Sequence, residues 1–166
     1  MSKQFDLPNG DKCVLRPVTP DDDAALVAIY ASTREDELAQ AEWEPGQKEA
    51  FIHWQFVMQR QEYQQRFPDG SFEMILVNDE PAGRFWTGSD EKEIRLLDIA
   101  ILPQFQNRGV GTVLVSDLIK EADRAQKPLR HMVFMLNNEA ERFYERLGFV
   151  EIEDIGAYKH MEWRPA

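Results

Sequence analysis

EIRLLDIAILPQFQNRGVGT, residues 93–112, holds three things in succession: an Ile- and Leu-rich run ending at Ile101, a proline at position 103, and a glycine-bearing turn leading into an apolar repeat. Glu93 to Ile101 reads as a largely buried, central strand, because aliphatic side chains fill a pleated surface and Pro103 cannot continue its ladder. Beyond the turn, Val110, Val113, Leu114, Leu118 and Ala122 keep helical spacing as far as Lys127-Pro128, where proline ends the pattern. Strand, turn and helix in this order make an anion site, since the first N–H groups of a helix lack internal partners and lie at the positive end of its dipole. Pyrophosphate suits such a place. Gly109 and Gly111 let the backbone approach a ligand, and Gln106, Arg108 and Thr112 offer donors to phosphate oxygens, with Asn107 and Val110 completing the turn. A dinucleotide fingerprint fails because Leu114 stands at the third glycine position, and no Gly-Lys-Ser/Thr follows.

Working outward, Arg130 to Leu136 reads as another strand and Glu139 to Leu147 as a short helix stopped by Gly148. Val150 to Ile155 and Ala157 to Trp163 form a closing hairpin around Gly156. Upstream, Lys12 to Val18 reads as the first strand, and Pro20 before three aspartates starts a helix over Ala24 to Ser32. Apolar residues from Lys48 to Phe67 (Phe51, Ile52, Trp54, Phe56, Met58, Tyr63, Phe67) predict a second helix with a broad buried face. Residues 72–77 and 82–86 then flank the spacer Asn78-Asp79-Glu80-Pro81 as a strand pair. The expected order is β, α, α, three strands, α, β, α, β, β, with no linker or internal repeat, hence a single domain over residues 1–166.

Composition narrows the classes. With 43% hydrophobic and 30% charged residues the 166-residue chain can bury a sizeable core. A net charge of −11 opposes nucleic-acid binding, which needs clustered Lys and Arg; it serves solubility or attracts a cationic substrate. Lone Cys13 excludes an internal disulfide and a thiol-ligated metal site, as expected of a reducing cytoplasm. His131 and His160 show no metal spacing, and no signal segment or membrane-length apolar run is found.

With these residues in view, the sequence resembles the GNAT superfamily of N-acetyltransferases. Gln106 to Gly111 matches the family signature Gln/Arg-x-x-Gly-x-Gly/Ala, and Asn137, Ala140, Phe143, Tyr144, Gly148 and Phe149 match the family pattern Asn-x-x-Ala-x-x-Phe-Tyr-x-x-x-Gly-Phe. The resemblance is specific over Glu93 to Phe149; before about residue 70 only element order supports it. It implies an α/β (α+β) GNAT-like acyl-CoA N-acyltransferase fold. Its mixed, mostly antiparallel twisted sheet would be flanked by about four helices and splayed between the fourth and fifth expected strands.

The same resemblance implies acetyl-CoA as co-substrate, without a metal, and an amine acceptor: a small molecule, an amino acid, a peptide N-terminus or a lysine. Ile99 and Ile101 would hold the pantetheine arm through their backbone, and the Ile99 N–H would polarise the thioester carbonyl. Tyr144, by spacing alone a core aromatic beside Phe143 on the short helix, matches the tyrosine that in many family members protonates the departing thiolate. Asn137 either holds the pantetheine arm or water, or caps the last helix. The alternatives are a CoA-binding regulatory module without turnover and an acyltransferase for longer acyl groups. The resemblance leaves monomer or homodimer open.

The base is less legible. An alkylamine is mostly protonated at neutral pH and must lose a proton to attack. The position of a family glutamate, four residues before Ile99, holds Arg95. Asp98 shares a strand face with Ile94, Leu96 and Ala100, and is either a satisfied polar residue or a carboxylate facing the reaction. Glu73, Glu35 and His53 are further candidates. Trp43, Trp54, Trp86 and Tyr30 form an aromatic acceptor pocket or ordinary core.

Overall fold

A computed structural model of the chain describes residues 2–166. Strands β1 (Lys3–Asp6) and β2 (Lys12–Pro17) lead to helices α1 (Asp23–Leu38) and α2 (Gln47–Arg66). Then come β3 (Ser71–Val77), β4 (Glu80–Ser89), β5 (Ile94–Ile101), α3 (Val110–Ala125), β6 (Leu129–Phe134), α4 (Asn138–Arg146), β7 (Val150–Asp154) and β8 (Tyr158–Trp163). The strands hydrogen-bond in the order β1-β2-β3-β4-β5-β6-β8-β7.

Two compact units divide the chain, one running to Trp86 and resuming at Asp98–Val110, the other comprising Thr87–Leu97 and Gly111–Ala166. In the first, β1 and β2 pair antiparallel from Lys3↔Leu15 to Asp6↔Lys12, and β2 pairs antiparallel with β3. The β3–β4 turn is the two-residue Asn78-Asp79, with φ of 48° and 67°, the doubly positive geometry that matches the twist of flanking strands. Thr19 opens the segment before α1: the buried Asp22 carboxylate accepts its N–H at 2.8 Å and the Arg16 guanidinium at 2.8 and 2.9 Å. Leu15, Leu26, Ile29, Met74, Ile75 and Trp86 are the core.

In the second unit, β6 pairs antiparallel with β8 along its whole length, and β8 with β7 around an irregularity between Glu151 and Glu153. The β5–β6 ladder is parallel and carries only Ile94↔Leu129, Arg95↔Arg130 and Leu96↔His131. That short ladder joins the fourth and fifth of the expected strands, where the sheet was expected to splay. Helix α3 buries Leu114, Val115, Leu118 and Ala122, one stripe at helical spacing.

Several local expectations need correction. Lys12–Pro17 is the second strand, not the first. β1 has the sequence KQFD with only Phe5 partly buried, too little alternation to signal a strand; pairing with β2 makes it one. Helix α1 continues six residues past Ser32 because no breaker intervenes. Helix α2 fully buries only Ile52 and Phe56, and leaves Trp54 58% and Met58 49% exposed. The four-residue spacer is a two-residue turn, so Glu80 and Pro81 belong to β4. Met135 and Leu136 fall outside β6 and are exposed.

Candidate active site

The turn after β5 is a local construction. Pro103–Phe105 form one 3-10 turn, Gln106 is extended, and Asn107 and Gly109 take positive φ of 62° and 87° before α3 starts at Val110. Positive φ at 109 suits glycine, which bears no Cβ. A Cβ on Gly109 would also lie 2.9 Å from Pro8 Cδ, so two constraints exclude a side chain there. The Gln106 amide donates to the Ile101 carbonyl at 2.9 Å and ties the turn to the strand end. Arg108, over the Phe105 ring at 5.4 Å, reaches Asp11 at 3.4 Å. Asn78, Asn9 and Arg108 hold the Asp11 carboxyl below its ordinary value. One Gln106 N–H is thus engaged with the strand end, and the Arg108–Asp11 contact is long and solvent-facing. Val110 is buried, Gly111 partly so, and Thr112 exposed.

Within the first unit Asp98 meets a residue the sequence reading missed. Arg84, 1% exposed, ion-pairs with Asp98, donates to Gln59 Oε1 at 2.7 Å, and lies 4.5 Å from the Trp86 ring centroid and 5.4 Å from that of Tyr30. Its Nε and Nη1 have no hydrogen-bond partner, so the aromatic faces are the remaining compensation for a buried guanidinium. Burial raises the Asp98 pKa, and the Arg84 charge and the Ile99 backbone N–H pull it down. The amide expected to polarise a thioester thus also serves the neighbouring carboxylate. Burial next to Asp98 pushes the Tyr63 phenol up to about 12. The signal for Arg84 was a lone charge inside Ala82-Gly83-Arg84-Phe85-Trp86. Ile99 and Ile101 are half-buried.

The aromatic candidates separate. Trp86 and Tyr30 flank the protein's own cation, Trp43 packs on Phe51 at 5.3 Å, and Trp54 is exposed. Glu35 and His53 are exposed and Glu73 is partly buried. Burial pushes the Cys13 thiol up to about 11, which keeps it protonated and unsuited to nucleophilic attack.

In the second unit, α4 explains the Asn-to-Phe pattern physically. Asn137 is the N-cap, its Oδ1 accepting the Ala140 N–H at 3.1 Å. At the other end Gly148 has φ of 100°, its N–H donates to the Glu145 carbonyl at 3.0 Å, and the Phe149 N–H donates to the Tyr144 carbonyl at 3.0 Å. These are the paired bonds of a Schellman closure, which brings the residue after the glycine back onto the last turn. Phe149 accordingly packs on Tyr144 at 5.3 Å, with Phe143 at 5.1 Å and His131 at 4.8 Å. Tyr144 is 4% exposed. Arg95 is committed to Glu93 at 3.1 Å and to His160 at 3.2 Å. No group of three or more His, Cys, Asp or Glu able to hold a metal occurs among the described residues, nor a helix long and apolar enough to cross a membrane.

A family model described as an acetyltransferase (GNAT) domain matches residues 38–165. The chain is 32% identical over 124 residues to the uncharacterized N-acetyltransferase MJ1207 of Methanocaldococcus jannaschii, a match covering 69% of this chain and 52% of that protein. It is 30% identical over 78 residues to the uncharacterized N-acetyltransferase CgeE of Bacillus subtilis, covering 47% and 30% respectively. The chain therefore spans about half or less of these curated relatives' lengths. Its fold is similar to the PaiA N-acetyltransferase of Thermoplasma acidophilum, solved in complex with coenzyme A, at a TM-score of 0.69 and 18% identity over 92% of this chain and 98% of that one. RimJ of Mycobacterium smegmatis, in complex with CoA-disulfide, is similar at a TM-score of 0.68 and 17% identity over 98% and 86%. The likeness shows an α+β acetyltransferase fold.

Proposed function

The chain belongs to the GNAT acetyltransferase family, and from that premise we propose that it transfers the acetyl group of acetyl-CoA directly to the nitrogen of an amine. The observation that carries the proposal is the turn from Ile101 to Thr112, where Asn107 and Gly109 at positive φ lead into a 16-residue helix. A helix start of this kind receives an anion, and the coenzyme A in the related PaiA structure supports a pyrophosphate there.

The roles then divide. Backbone groups at Ile99 and Ile101 hold the pantetheine arm, and the turn from Gln106 to Thr112 with Arg108 takes the pyrophosphate. An ammonium acceptor gives up one proton before attack, and Asp98, whose proton affinity burial raises, takes it. The amine nitrogen bonds to the acetyl carbon as the carbon–sulfur bond breaks; Tyr144 gives its proton to the departing thiolate, the nitrogen's second proton passes to solvent, and Tyr144 regains a proton and Asp98 sheds one to solvent before the next turnover. Phe143 and Asn137 shape the helix that carries Tyr144, with the Asn137 amide nitrogen still available to a ligand. No step calls for a metal. The acceptor is a small molecule or a peptide amine, and the lone buried Cys13 suits a reducing cytoplasm.

Thiol release from acetyl-CoA measured across a panel of small amines, amino acids, peptides with free N-termini and lysine peptides tests this. Acceleration by at least one amine is expected. Tight coenzyme A binding with no turnover on any of them would leave a CoA-dependent regulatory module instead, a reading to which the commitment of Arg95 at the family base position would then point. Mass spectrometry of copurified ligand distinguishes an acetyl from a longer acyl donor.

A further inference from the structure

His131 is used nowhere in the mechanism, yet its surroundings are specific. It occupies the last rung of the short β5–β6 ladder, opposite Leu96. Its Nδ1 lies 2.9 Å from the Leu96 carbonyl oxygen. A carbonyl only accepts, so Nδ1 must carry the hydrogen, and in a neutral ring Nε2 is then an acceptor. Burial lowers the imidazole pKa to about 4, the Leu96 hydrogen bond opposing the shift and the Arg95 and His160 charges adding to it, so the ring is neutral at physiological pH. The imidazole centroid lies 4.8 Å from that of Tyr144 at an interplanar angle of 56°, and Phe149 meets the same phenol ring at 5.3 Å and 71°. Tyr144 is thus wedged between a ring fixed to the strand backbone and a ring fixed by the helix closure.

We propose that His131 is a positioning residue for the acid Tyr144, its imidazole locked as the Nδ1–H tautomer by the Leu96 carbonyl and packed against the phenol ring. This rests on the assignment of Tyr144 as the acid. The bond to Leu96 ties the imidazole to β5 at the point where the ladder ends, and the imidazole transfers that fixed position to the phenol. Misplacing a reacting group by 1 Å costs on the order of 100-fold in rate, so loosening this wedge affects the chemical step rather than donor binding. Neutrality matters too, since no proton need leave or enter the imidazole over the working pH range.

Two substitutions separate its parts. His131→Asn keeps an N–H near the Nδ1 position and loses the ring; His131→Phe keeps a ring and loses the N–H. With acetyl-CoA and the most reactive amine of the panel, both variants should lower kcat about 10- to 100-fold and leave KM for acetyl-CoA within twofold. In a cycle with Tyr144→Phe, the double variants should be no slower than Tyr144→Phe alone. Losses that multiply would show that His131 acts independently of Tyr144 and overturn the proposal, as would wild-type kcat in both folded single variants. If Tyr144→Phe itself keeps full turnover, the acid assignment fails and the positioning role with it. Nitrogen-15 NMR of the imidazoles gives a readout independent of turnover and of variant folding: the Nδ1–H tautomer is expected for His131 at pH 7, and an Nε2–H tautomer would refute the lock.

Discussion

Gly83 offers the most direct test of how β4 sets the position of the donor strand. A Cβ placed there would fall inside the van der Waals shell of the Ala100 carbonyl oxygen, and would lie 3.1 Å from both the Ala100 carbonyl carbon and the Ile101 Cα. Every one of these neighbours is backbone, so no side chain can swing away. The Ala100 carbonyl oxygen is the nearest of these, and relieving that overlap to even the tightest ordinary contact requires β5 to move by about 1 Å or more at the residues assigned to the pantetheine arm. Overpacking of this kind destabilises by about 1–3 kcal/mol, and a displacement approaching 1 Å at a reacting centre lowers the rate by on the order of 100-fold. Calorimetric titration with acetyl-CoA, thiol release and thermal melting of the same preparations should show a moderate loss of stability with a disproportionate loss of donor affinity and turnover. Asp22→Asn, which destabilises the same unit away from β5, is the control and should keep donor affinity. Full affinity and turnover in Gly83→Ala would refute the idea that the tight β4–β5 approach sets the donor strand.

Three further outcomes follow from the packing. Arg16 and Thr19 lower the Asp22 pKa from 3.8 to about 2, so this carboxylate contributes about 2 kcal/mol above pH 4 that is lost as the pH falls towards 2; urea unfolding should show that Asp22→Asn flattens this part of the acid limb. Arg84→Met should cost about 3–5 kcal/mol by leaving the Asp98 carboxylate buried without its partner, with most of the loss recovered in Arg84→Met/Asp98→Leu; urea midpoints of the two variants measure it. Gly148→Ala should lose about 1–2 kcal/mol through the positive φ, seen as a drop in Tm of a few degrees, and should lower kcat more than donor affinity because the Schellman closure positions Tyr144.

The backbone of the turn after β5 and of α4 was legible because its requirements are local. Positive φ at Gly109, an N-cap at Asn137 and a left-handed glycine at 148 are each written in a few adjacent residues, and the two motifs that mark the family spell out these backbone conditions. The shortness of the β5–β6 ladder, three rungs from Ile94↔Leu129 to Leu96↔His131, goes with β6 pairing with β8 along its whole length. Strand β1 and the exposed flank of α2 were not legible, because each is decided by which surface a partner covers: Phe5 gives β1 almost no pattern of its own, and Trp54 and Met58 have the same apolar character as the buried Ile52 and Phe56.

The buried charge cluster of the first unit was illegible for a different reason. Gln59, Arg84 and Asp98 come from a helix and two strands and meet only when the first unit is built, so no spacing announces them. What the sequence did carry was an anomaly, a single arginine in the buried run of β4. A buried guanidinium is costly unless it is paired and hydrogen-bonded, so that anomaly implied an unseen carboxylate, and Asp98 was the acidic residue already noted on the interior strand for sharing a face with apolar neighbours. Joining the two anomalies would have predicted the pair. It would also have altered the expectation for the acceptor, because the cation that Trp86 and Tyr30 accommodate is Arg84 itself. Those two ring faces are therefore occupied by the protein's own arginine. With Asp98 as the proposed base, its carboxylate is already balanced by Arg84, so in the amine panel an acceptor with little charge beyond the proton it must lose is expected to react faster than a polycationic one, and the reverse order would refute this.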